Sequence, residues 1–162
     1  MNGNGVLPSL YDRLGPRSVL IAIPRGSKAP AQERWQKTTF DETQRYFRKN
    51  ELKDAVRRGG NIGVRLCDSL AAVDFDIDEW ANRFLELNEI LRGSFRSRGA
   101  RGWQIFLRIR GPYPAAIQPL KAKDGQKVGE WRGAGQSIVF GKHPTGVDYQ
   151  RVGCPGVRNS IR

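Results

Sequence analysis

The chain has 162 residues, with 28 Lys and Arg against 16 Asp and Glu, a net charge of +12 at pH 7. With 38% hydrophobic residues and 4 Trp, 4 Tyr and 7 Phe it can bury one core, which excludes a disordered basic tail. No apolar run approaches about 18 residues, and no charged region precedes an apolar one at the N-terminus, so neither a membrane span nor a secretory signal is expected. The expectation is a soluble, cytoplasmic protein. Two cysteines, Cys67 and Cys154, and a single histidine, His143, cannot complete a four-ligand structural zinc site, and both thiols are expected to be free. The charge points to a polyanionic partner, nucleic acid or nucleotide; a merely solubilising basic surface is the alternative.

In chain order, residues 1–16 are rich in Gly, Asn and Pro and read as a flexible arm with at most a helical turn at 9–14. Residues 18–23 (SVLIAI) read as a buried strand that leaves through a turn carrying Lys28 and Pro30. Asp41 is placed as the N-cap of a helix over 42–58, closed by Gly59-Gly60. Residues 61–66 and 70–77 read as a β-hairpin about Cys67-Asp68-Ser69. A helix over 79–91 is expected to bury Trp80, Phe84, Leu87 and Leu91. Strands are predicted at 102–109, 128–132 and 136–140, with a long basic loop over 110–127. This order predicts one α+β or α/β domain on a central sheet.

The chemistry concentrates in Ala72-Val73-Asp74-Phe75-Asp76-Ile77-Asp78. On a strand the three aspartates share one face while Val73, Phe75 and Ile77 take the other. Neighbours on that face, about 7 Å apart, repel by about 2.4 kcal/mol at an effective dielectric near 20. A divalent cation such as Mg2+ or Mn2+ offsets this; an acidic solvent face on an edge strand is the alternative. Glu130 lies on another predicted strand with Arg132 two residues on, hence on the same face. Ser97-Arg98-Gly99-Ala100-Arg101-Gly102 is a doubly cationic turn suited to phosphate, and Gly141-Lys142-His143-Pro144-Thr145-Gly146 follows a strand. No Walker motif is present.

Taken in order, these segments resemble the N-terminal primase-polymerase domain of the archaeo-eukaryotic primase superfamily, as found in replication proteins of plasmids, phages and other mobile elements. The resemblance covers about residues 17–150. It rests on Lys28-Ala29-Pro30 followed by Trp35, on Asn61-Ile62-Gly63-Val64, on Asp74-Phe75-Asp76, on Gly129-Glu130-Trp131-Arg132-Gly133, and on the loop ending His143-Pro144-Thr145-Gly146. It implies an α+β domain with an RRM-like catalytic sheet flanked by helices, spanning 17–152 between an N-terminal arm and a tail at 153–162. It further implies two Mg2+ or Mn2+ ions on Asp74, Asp76 and Glu130, and template-directed transfer of nucleotides to a 3′-hydroxyl in DNA replication. Asp78 is then an outer-sphere or structural acid.

Ser97, Arg98, Arg101, Gln104, Arg132, Lys142 and His143 are expected to contact the nucleoside triphosphate. Lys28, Lys121, Lys123, Lys127 and Trp103 are expected to contact single-stranded DNA template and primer, with Trp103 stacking bases. A helicase region, in cis or in trans, is an expected partner in a prokaryotic host, virus or plasmid. One departure stands out: the second motif of the family usually ends in His, and Gln104 stands there, which supplies neither a cation nor a proton. Two rival readings are a non-catalytic single-strand-binding module on the same fold and a metal-dependent nuclease.

Overall fold

A computed structural model describes residues 5–153 and 160–161. Helix α1 (Val6–Leu14) is followed by β1 (Leu20–Ile23), α2 (Phe40–Gln44), α3 (Tyr46–Arg57), β2 (Asn61–Arg65), β3 (Leu70–Phe75) and α4 (Asp78–Leu87). Six strands complete the main body: β4 (Arg96–Arg98), β5 (Trp103–Ile109), β6 (Ile117–Lys121), β7 (Lys127–Arg132), β8 (Gln136–Phe140) and β9 (Gln150–Val152). A short β10 (Ser160–Ile161) pairs parallel with β5. The strands form two sheets, ordered β1-β2-β8 and β6-β7-β3-β5-β4-β9, so the protein is a small α+β domain as expected.

Strand alternation divides the larger sheet into two unlike faces. Ala71, Val73 and Phe75 of β3, with Ile105 and Leu107 of β5, pack under Ala81 and Leu85 of α4. Leu70 and Ala72, with Phe95 and Phe106, join the other cluster, which includes Val6, Leu10 and Leu14 of α1, Leu52 of α3 and Ile62 and Val64 of the smaller sheet. Asp74 lies on this second face, two residues beyond Ala72.

Several expectations are corrected. The N-terminal arm holds a nine-residue helix, because Val6, Leu10 and Leu14 recur every four residues and present one buried stripe to the core. The helix expected over 42–58 is two helices, broken where Arg45 turns extended (φ −61°, ψ 143°). The first is capped by Thr39 rather than Asp41, through a reciprocal capping box with Glu42. Residues 61–77 are not a hairpin: β2 is held between β1 and β8, and β3 between β5 and β7, leaving neither an edge for the other.

β3 ends at Phe75, and Asp78 enters the first turn of α4, where the helix dipole favours a carboxylate. Ile77 is therefore exposed rather than buried, and the three aspartates do not share a strand face. On α4 the buried stripe is Ala81 and Leu85, while Trp80 and Leu87 are exposed, because the helix begins at Asp78 and turns that stripe to the sheet. The basic loop 110–127 contains β6, an edge strand that tolerates Pro119 because its outer side needs no partner. Of the tail expected at 153–162, residues 154–159 and 162 lie outside the described residues, and with them the expectation of a free Cys154.

Candidate active site

The register of the larger sheet sets four polar residues in a row on one face: Ser97 of β4 opposite Gln104 of β5, Gln104 opposite Asp74 of β3, and Asp74 opposite Glu130 of β7. Directly opposed residues lie about 4.5–5.5 Å apart at Cα, so their side chains are neighbours. Two glycines allow the flanking strands to approach this point. A Cβ on Gly129 would collide with the Asp74 carbonyl, and one on Gly102, which sits at φ +62°, with the Phe75 carbonyl.

Asp74 is 29% exposed at its side chain and accepts from Gln104 Nε2 at 3.0 Å and from Arg132 Nη1 at 3.4 Å. Burial pushes its carboxyl pKa up, and the bond from Gln104 and the charge of Arg132 oppose the rise. Arg132, one rung along the same face opposite Ala72, is held by a second bond from Nη2 to the Gln136 carbonyl at 3.0 Å. On the other side of Gln104, the buried Ser97 hydroxyl lies 3.4 Å from the Gln104 side-chain oxygen and donates to the Ile138 carbonyl at 3.1 Å. Glu130 accepts from Lys127 Nζ at 2.6 Å, a bond that lifts the lysine pKa.

An open cavity of about 410 Å³ adjoins this row. It collects, from distant parts of the sequence, Asp74, Asp76, Ser97 and Gln104 with the cations Lys28, Arg98 and Arg101, and also Trp103 and His143. Phe75 and Thr145, which stand inside the motifs read from the sequence but were not assigned to the site, also line it, as does Tyr149, which stands outside those motifs. Tyr149 packs its ring against His143 at 5.8 Å between centroids, and its hydroxyl pKa is pushed up to about 12, by burial first and then by the Asp74 charge. Only its position just after the His143 loop would have pointed to it.

His143 sits beside the cationic turn, close enough that a Cβ on Gly99 would strike its ring at 2.8 Å. Its Nδ1 accepts from the Thr145 amide at 3.2 Å and lies 2.8 Å from the Thr145 hydroxyl, so the neutral ring carries its proton on Nε2. Burial, followed by the nearby Lys28 charge, lowers the His143 pKa. Fully buried Asn61 ties the two loops together: Nδ2 donates to the Ser27 and Lys142 carbonyls at 3.0 and 2.9 Å, and Oδ1 accepts from the Lys142 amide at 2.7 Å. In the sequence Asn61 heads the Asn61-Ile62-Gly63-Val64 strand motif, which does not announce this tie between loops.

Other expected contacts lie elsewhere. The Lys142 ammonium faces Asp148 at 3.6 Å and does not line the cavity. Lys121 and Lys123 are exposed on the β6–β7 hairpin, with Lys121 opposite Lys127. Trp103 does not offer a bare stacking face. Its ring carries the Arg96 and Arg98 guanidinium groups, each at 5.6 Å, and packs against the apolar cluster beneath α4. Asp78 pairs with Arg98 at 2.9 Å and so helps fix that guanidinium at the cavity.

The carboxylates of Asp74, Asp76 and Glu130 are hard oxygen donors of the kind Mg2+ or Mn2+ takes. In Asp74 and Glu130 each carboxylate already meets a basic side chain, Arg132 and Lys127 respectively, so this part of the sheet attracts positive charge. Among the described residues no three His, Cys, Asp or Glu side chains converge closely enough to enclose an ion. The backbone register brings Asp74 and Glu130 side by side, and Asp76 is exposed at the end of β3. The donor atoms are of the type a divalent cation takes, and in this structure the three carboxylates do not converge on one point.

The sequence matches the Prim-Pol family, described as bifunctional DNA primase/polymerase, N-terminal, over residues 6–159. No curated protein matches it.

Proposed function

The chain belongs to the bifunctional DNA primase/polymerase family, and from that premise we propose that it joins nucleotides from nucleoside triphosphates to a 3′-hydroxyl on a single-stranded DNA template. The observation that carries this reading is the register that sets Ser97, Gln104 and Asp74 at a cavity lined by Lys28, Arg98 and Arg101, with Glu130 opposite Asp74 on the next strand and outside that lining. Acidic groups beside a cationic pocket suit a triphosphate better than either set alone.

In this reading Asp74, Asp76 and Glu130 hold one or two divalent cations. Such ions, when bound, activate the attacking hydroxyl and neutralise the departing pyrophosphate. Lys28, Arg98 and Arg101 bind the triphosphate oxygens. Asp78 and the Trp103 ring keep Arg98 extended into the cavity, and Arg132 with Gln104 fixes the orientation of the Asp74 carboxylate. His143 donates Nε2–H to a phosphate oxygen. Template, primer and a helicase region, in cis or in trans, are the partners this function requires.

The test is nucleotide incorporation on a single-stranded template, with and without primer, in Mg2+ and in Mn2+. Template-dependent product that falls by about 10³-fold or more in Asp74→Ala/Asp76→Ala supports the reading. Cleavage of the template without nucleotide incorporation, or product that persists in the double variant, would overturn it.

A further inference from the structure

Among the described residues, the two most exposed large hydrophobic side chains lie outside the catalytic row. Tyr46 (85% exposed) and Phe47 (72%) begin α3 and line an open groove of about 550 Å³. Two large aromatics at consecutive positions that stay mostly exposed call for a reason. The opposite wall is Pro24, Arg25 and Ala31. Arg58 also lines the groove, and neither it nor Arg25 has an ion-pair partner among the described residues. The acids that line the groove are neutralised on their own helix: Glu51 pairs with Arg48 at 2.7 Å and Asp54 with Arg57 at 3.3 Å. Arg48 also lies over the Phe47 ring at 5.7 Å. The groove therefore presents two aromatic rings and an excess of two arginines.

The groove also adjoins the cavity. The loop whose Arg25 and Ala31 wall the groove sends Lys28 into the cavity. Lys28 is three residues from each, and three residues of chain span at most about 11 Å. A flexible polyanion leaving the cavity meets this groove within a few nucleotides.

We propose that the Tyr46/Phe47 groove is a second binding site for single-stranded nucleic acid, with bases stacked on the two rings and phosphates held by Arg25 and Arg58. The chemistry is sequence-tolerant, since every base has a stacking face and every linkage a negative charge. That the bound strand is the template leaving the catalytic cavity rests on the function proposed above; the groove's affinity for single strands does not.

The test is fluorescence anisotropy of a labelled 20-nucleotide oligo-dT with the full chain, without nucleotide or divalent cation. Tyr46→Ala/Phe47→Ala is expected to weaken binding by about 10-fold or more, and Tyr46→Trp/Phe47→Trp to retain it. Arg25→Ala/Arg58→Ala is expected to lower the slope of log affinity against log salt by about 1.4, the value for two lost phosphate contacts on a single strand. Thermal midpoints should stay within about 2 °C, because the aromatic side chains removed are exposed. Binding within twofold of the parent in the folded alanine variant would overturn the proposal and assign the rings to protein contact instead. Asp74→Asn separates the two readings. If it abolishes incorporation but binds oligo-dT normally, the groove is independent of the chemistry. If incorporation is absent from every form of the protein while the aromatic variant still loses affinity, the polymerase reading falls and the groove stands.

Discussion

The two ends of β3, about 13 Å apart from Leu70 to Asp74, differ in how completely their polar groups are partnered. At the Leu70 end the protein supplies its own partners. Arg108 donates to the Leu14 carbonyl at 2.7 Å, the Ser69 hydroxyl at 3.0 Å and the Ser18 hydroxyl at 3.2 Å, and the Tyr113 hydroxyl lies 2.6 Å from both the Leu70 and Gly133 carbonyls. At the Asp74 end the carboxylates meet a cavity, and its cations Lys28 and Arg101 have no ion-pair partner among the described residues. Both ends border an open cavity, about 400 Å³ beside Arg108, Cys67 and Asp68 and about 410 Å³ beside Asp74, and they differ in how far the lining groups are already bonded within the protein, which at the Leu70 end makes a clasp. Where polar groups are matched within the protein they hold the fold, and where they are left open toward solvent they can hold a ligand.

Arg108→Ala breaks the clasp and should show the largest change in stability. Hydrogen bonds from a charged group contribute about 1.5–3 kcal/mol each and do not add, so a net loss of about 3 kcal/mol is expected. For a domain of this size that lowers Tm by about 6–12 °C. Incorporation per folded molecule should be unchanged, the reverse of the Asp74→Ala/Asp76→Ala variant, which loses incorporation. Thermal melts beside incorporation assays check the pair; an Arg108 variant that melts normally but loses activity would erase the division between the two ends.

Cys67 sharpens the same division. It is half-buried beside Asp68, and burial with the Asp68 bond pushes its thiol from an ordinary 9.0 up to about 11. At pH 8 the reactive thiolate is then about 100-fold scarcer than for an unperturbed cysteine. Iodoacetamide labelling followed by peptide mass spectrometry should show Cys67 modified about 100-fold more slowly in native than in denatured protein, and equal rates would mean that this end is open.

Gln104→His probes the open end, where the sequence departs from its family resemblance. Gln104 already faces Asp74 and donates to it, so a histidine placed there adds a titratable donor without moving the backbone. Incorporation is expected to rise about 10-fold at pH 6–7 and to lose that advantage above the histidine pKa. A pH profile of the rate reads this directly.

These contrasts show why some of the site was legible in the sequence and some was not. Alternation placed Asp74 on one face and the Gly129-Glu130 segment supplied a second acidic strand, while joining the two residues into one site needed the family resemblance, and the register now sets them opposite each other. The face of Asp78 was not legible, because β3 stops at Phe75 and Asp78 opens α4, where the helix dipole favours its carboxylate. The helical stripe on α4 was misjudged because Trp80 and Leu87 are apolar yet exposed; period alone does not say which of two neighbouring stripes meets the sheet. Asn61 acts through contacts with Lys142, 81 residues away, and no local signal marks such a knot. The capping box at Thr39-x-x-Glu42 was written in the sequence in full, and so was the four-residue spacing of Val6, Leu10 and Leu14.

The smallest expected effect lies back at the clasp. Tyr113→Phe removes one hydroxyl that lies near two carbonyls, costing about 1 kcal/mol and lowering Tm at pH 7 by about 2–4 °C. Burial raises the Tyr113 pKa from 10.0 to about 12. Between those values the native state keeps a proton that the unfolded chain releases, so the stability linked to this group is whole below pH 10 and lost as pH rises through 12. The variant has no such proton to hold. The gap between parent and variant should therefore close as melts are taken from pH 10 to pH 12, while Tyr149, raised equally in both, contributes the same alkaline loss to each. A gap that stays constant over that range would mean that Tyr113 is free to ionise, and that its hydroxyl is not held between the Leu70 and Gly133 carbonyls.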